Sequence, residues 1–122
     1  MTIDLAPRAL LESERRVLDR LLSVEFPGAG ALRIQAGMTL GQRTCRCGCA
    51  SVDLVVGPSA PRAGTTGTVP VEAQAEFAGP IGSVVILLFV LEGHLSLMEI
   101  ASYSDHVPDR WPDAATLIIE PR

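Results

Sequence analysis

Val84-Val85-Ile86-Leu87-Leu88-Phe89-Val90-Leu91 is followed by Glu92-Gly93-His94 and then by Leu95-Ser96-Leu97-Met98-Glu99-Ile100-Ala101-Ser102-Tyr103. Two β-rich runs joined by a tight glycine-containing turn predict a β-hairpin. The first run is apolar at every position, so both faces of its strand want cover and the strand belongs in the middle of a sheet. Helices are expected on one face, and side chains, loops or a partner on the other.

Upstream, Val69 to Phe77 alternates, with Val71, Ala73, Ala75 and Phe77 inward and Glu72, Gln74 and Glu76 outward. That is a half-buried strand, and Pro70 predicts that its start lies at a sheet edge. Val52, Leu54 and Val56 form one side of an earlier strand, with Cys49, Ser51 and Asp53 on the other. Gly57 to Gly67, rich in Gly, Pro and Thr, predicts a mobile surface loop. Downstream of Asp105, Pro108 and Pro112 flank the single Trp, Trp111, and Thr116 to Ile119 reads as a closing strand or extended segment.

The first third follows a different period. Leu10, Leu11, Val17, Leu18, Leu21 and Leu22 recur at helical spacing and predict an amphipathic helix over about residues 10–23. Either Pro7 lies near its start or Ser13 caps a shorter helix opening at Glu14. Pro27 biases Phe26 away from helical backbone and ends the helix. A second short helix is expected over 29–36, closing at Gly37. The fold class is therefore α+β, with two N-terminal helices on a mainly antiparallel sheet of about four to five strands. The sheet spans about 39–119 in a single domain of residues 1–122.

A chain of 122 residues has room for one core, and with 48% hydrophobic but only 4% aromatic residues that core is aliphatic. Ten Arg and no Lys exclude lysine chemistry, whether Schiff base, desolvated base or phosphate clamp. The net charge of −4 is uneven: residues 1–62 carry eight Arg against six acids, and residues 63–122 two Arg against eight. Such a distribution lacks the basic, aromatic-interleaved stripe of a nucleic-acid binder. It suits a basic partner protein or simple solubility. Met1 to Val17 has no apolar run of a signal peptide, and Ile81 to Leu91 is shorter than the ~20 residues a membrane span needs. A cytoplasmic location with reduced thiols is the expectation, as monomer or homodimer.

The chemically unusual stretch is Thr44-Cys45-Arg46-Cys47-Gly48-Cys49. On an extended strand the thiols would stand about 6.5–7 Å apart, whereas zinc holds each sulfur at ~2.3 Å. A turn at Gly48 would bring Cys47 and Cys49 together, with His94 or His106 completing a zinc shell. A redox role would use Arg46 as the local cation that favours a thiolate. The third reading is structural, with small residues at a strand end. Ser102, Ser104, Asp105 and His106 supply the residue types of a hydrolytic triad but lack the G-x-S-x-G elbow. Gly28-Ala29-Gly30 opens a helix without the preceding strand of a dinucleotide fingerprint. Glu99, between apolar neighbours, is a carboxylate expected to face water.

Glu14-Arg15-Arg16-Val17-Leu18 with Phe26-Pro27-Gly28, the Cys47-Gly48-Cys49 run leading into Ser51-Val52-Asp53-Leu54, and Glu99-Ile100-Ala101-Ser102-Tyr103 together resemble a group of small uncharacterised actinobacterial proteins. Some similar small domains look like immunity proteins that neutralise a toxin, so the resemblance implies a binding role without a catalytic motif. The expected function is a non-enzymatic protein-interaction module with no cofactor, acting through the acidic half and an exposed sheet face. Tyr103 and Trp111 are its expected anchors and Asp105 and Asp109 its expected charges. The alternative is a metal- or redox-responsive domain using Cys45, Cys47, Cys49 and His94, with zinc as the metal.

Overall fold

The computed structural model describes residues 6–43, 48–65 and 67–122. In chain order the elements are β1 (Arg8–Ala9), α1 (Glu12–Leu21), α2 (Ala29–Ala36), β2 (Leu40–Gln42), β3 (Val52–Val55), β4 (Val71–Glu76), β5 (Ser83–Leu91), β6 (His94–Ser102) and β7 (Ile118–Pro121). Short 3-10 turns at Gly79–Ile81 and Ala114–Thr116 precede β5 and β7.

All strands belong to one antiparallel sheet of order β1-β2-β3-β6-β5-β4-β7. The expected hairpin lies at its centre, paired from Val84↔Ser102 to Leu91↔His94 with an irregularity between Phe89 and Val90. Its turn has positive φ at both central residues, 52° at Glu92 and 81° at Gly93, which matches the right-handed twist of the strands it joins. Gly93 is also crowded: an added Cβ would lie 3.0 Å from the Cβ of Arg62 and 3.1 Å from the carbonyl oxygen of Ala63.

Among the described residues seven strands replace the four to five expected. The additional ones are β1 and β2, of two and three residues, too short for a period of two to register in sequence. Pro70 does not mark an edge, because the chain end returns along β4 and the Arg122 amide donates to the Pro70 carbonyl at 2.8 Å. A proline is tolerated there because it stands just before the first residue of β4 and takes part in that bond as an acceptor.

Helices α1 and α2 lie on one face of the sheet. Val17, Leu18 and Leu21 of α1 and Leu32 of α2 meet Val52, Val71, Val84, Ile86, Leu88, Met98 and Ile100 in a single core. Full burial of each such side chain contributes about 1.5–3 kcal/mol. Two polar devices fasten the helices. Buried Glu14 accepts from Arg8 at 2.6 and 3.2 Å and from the Leu11 amide at 2.8 Å, tying α1 to β1. Gln35, fully buried in α2, donates to the carbonyls of Pro61 and Gly93 at 2.6 and 2.8 Å and accepts from the Leu95 amide at 2.9 Å. Residues 60–63 are thereby held between α2 and the hairpin turn, with Ala60 and Ala63 buried.

Candidate functional site

The face of the sheet opposite the helices is built by strict alternation. On β5 the residues between the core positions are Val85, Leu87 and Phe89, and β6 places Ala101, Glu99 and Leu97 directly across from them. These side chains are half-buried and retain solvent access. None belongs to the core or to the partly buried residues packed against it. The row extends outward through Leu40, beside Val55, to one side and through Ile118, beside Gln74, to the other. Ile118 is 67% exposed.

Carboxylates border this aliphatic row. Register sets Asp53 beside Leu97, Glu99 and Glu72 on either side of Leu87, Glu120 beside Glu72, and Glu76 beside Ser83. Arg122 pairs with Glu72 at 3.0 Å. Among the described residues Glu99, Glu120 and Glu76 have no cationic partner, and Glu76 only accepts from the Ser83 hydroxyl. Much of the acidity of the C-terminal half thus stands on one sheet face, around apolar side chains.

The expected anchors separate in space. Tyr103, 71% exposed, continues the outward alternation of Glu99 and Ala101 just past the end of β6, and its amide donates to the Ser83 carbonyl at 3.3 Å. Trp111, 9% exposed, packs in the core and is not on the open sheet face. It walls two clefts against the first turn of α1, of about 360 and 180 Å³. Its indole Nε1 is a buried donor without a hydrogen-bond partner among the described residues. Asp109 lines the smaller cleft and pairs with Arg110 at 3.1 Å, on the helix side of the sheet; Asp105 is exposed in the turn after β6. Arg110 also stacks on the Phe77 ring at 4.6 Å.

Of the cysteine run, Cys45 and Cys47 lie outside the described residues, and Cys49 is half-buried ahead of β3. Arg43 donates to the Cys49 carbonyl at 2.5 Å. His94 begins β6 at the hairpin turn, where its Nε2 lies 3.2 Å from the Ala60 carbonyl. The pairing of β3 with the middle of β6 puts Cys49 toward the opposite end of that strand. Among the described residues no group of three or more His, Cys, Asp or Glu could hold a metal. The hydroxyls of Ser102 and Ser104 bond each other at 2.8 Å and the His106 amide bonds the latter at 3.2 Å, which is a turn held by its own hydroxyls.

Sequence reasoning singled out the hairpin but not Val85, Leu87, Phe89 and Leu97 as a surface. The signal was present: a strand apolar on both faces, beside one that alternates apolar with acidic, predicts a sheet whose second face is aliphatic and acid-bordered. No family model, curated protein or solved structure matches this chain. Among the described residues no helix is long and apolar enough to cross a membrane.

Proposed function

We propose that the chain is a non-enzymatic protein-interaction module of the cytoplasm, whose open sheet face receives a partner protein bearing a basic and aliphatic surface. The immunity-type inhibitor suggested by the sequence resemblance is the specific form of this reading. The observation that carries it is the row Val85, Leu87, Phe89 and Leu97, solvent-accessible on the face away from the helices and bordered by Glu72, Glu76, Glu99 and Glu120. An apolar centre with a charged rim is the anatomy of a protein interface. Carboxylates of one sign favour a basic partner and speed its approach. Tyr103, at the end of the same face, is the aromatic anchor that remains.

The test is site-specific photo-crosslinking from Leu87 on the sheet face and, as a control, from Asp19 on exposed α1, followed by reconstitution with the purified captured protein. A single species captured from Leu87 alone, bound by calorimetry and weakened at least about 10-fold by Phe89→Ala, supports the reading. Capture from Asp19 alone, or binding indifferent to Phe89→Ala, overturns it.

A further inference from the structure

Strand β7 covers only part of β4. It pairs with Val71 to Gln74 and begins at Ile118, so Glu76 lies beyond its reach. Backbone directions follow from the bonds on either side. The Phe77 amide donates to Gly82 on the β5 side, and the Pro70 carbonyl accepts from Arg122 on the β7 side. Alternation therefore turns the N–H and C=O of Glu76 to the β7 side, where no strand among the described residues meets them.

A cavity of about 300 Å³ opens at this place. Ile118 is its exposed apolar side chain, the buried Ala75 and Val84 border it, and Gln74, Glu76, Ser83 and Thr116 supply its polar lining. One Glu76 oxygen accepts from Ser83, and its other oxygen has no partner among the described residues. The notch is continuous with the aliphatic, acid-bordered face, because Ile118 and Glu76 belong to both.

The other free edges are poorer templates. The outer edge of β7 includes Pro121, which has no N–H to give, and β1 is two residues long. At the end of β4 an unpaired backbone, an apolar slot and an uncompensated carboxylate coincide. A long basic side chain satisfies all of this at once, with its methylene stem along the exposed Ile118 and its charged head on Glu76.

Resting on the interaction reading above, we infer that the partner presents an extended segment that seats one arginine or lysine side chain in this notch, its main chain meeting the free N–H and C=O of Glu76. Strand addition at an open sheet edge supplies the main-chain bonds, and the pocket supplies the selection. A second copy of this chain is a poor occupant, because stacked on the same face it would set Glu72, Glu99 and Glu120 against their own copies.

The probe is an end-capped pentapeptide, Val-Thr-Arg-Thr-Val, and its citrulline twin, which keeps the shape and removes the charge. Each is titrated into the full-length ¹⁵N-labelled chain. The expected result is saturable movement of the Glu76, Ser83 and Ile118 amides, with the arginine peptide bound about 5-fold more tightly, as an exposed ion pair allows. Glu76→Gln should erase that preference while the rest of the amide spectrum is unchanged. Equal affinity for the two peptides, no movement at the notch, or a preference that survives Glu76→Gln overturns the inference. Movement confined to Val85, Leu87, Phe89 and Leu97 overturns the notch while leaving the sheet-face reading intact. Failure of the Leu87 crosslink is what sinks the latter.

Discussion

Val84, Ile86 and Leu88 on one side of β5 and Val85, Leu87 and Phe89 on the other are nearly the same residues by chemistry, yet they have opposite situations. The first set is fully buried under the helices, while the second is only half-buried. A sheet needs one covered face to fold, and the second can be left polar. Here it is left aliphatic and is bordered by acids. The difference separates residues that hold the fold from residues available to a partner.

Substitutions on the inner side carry the largest expected effect. Leu88→Ala should lower unfolding free energy by about 2–5 kcal/mol, and Leu87→Ala, one residue away, by less than about 1.5, both read from urea denaturation. Similar losses for the pair would mean that the outer face is already covered. Next in size is Gln35→Ala, which removes three hydrogen bonds and leaves the buried Leu95 amide without its acceptor. The expected cost is about 2–3 kcal/mol, with faster amide exchange at Gly93 and Leu95. Phe89→Thr is expected to change stability by less than about 1 kcal/mol, since threonine keeps the β propensity, while weakening the reconstituted complex at least about 10-fold. The smallest effect is expected from zinc: native mass spectrometry of reduced protein purified without chelator should show apo mass, and chelator should leave the melting temperature unmoved. Stoichiometric zinc lost on Cys47→Ser would move the functional centre from the sheet face to the cysteine run.

Legibility followed the length of each signal. The nine-residue β5 and β6 and the six-residue β4 declare their periods in sequence, as does α1 through Val17, Leu18 and Leu21. Ala9 and Gln42 carry no such mark, because strands of two or three residues exist only through the neighbours that pair with them. The anchors show the same limit. Both aromatics lie in the polar, proline-punctuated stretch after the hairpin, and composition treats them alike. Trp111 packs into the core beside α1, whereas Tyr103 stays on the open face.

By itself the sequence determined the α+β class, the central hairpin and its turn, the inward set of β4 and the absence of lysine chemistry, all of which rest on residues within a few positions of one another. Only the tertiary structure decided which face of β5 the helices cover, that β7 stops short of Glu76, and that Trp111 turns inward. Those outcomes depend on contacts between distant segments, whose packing selects among arrangements that local periodicity leaves equal.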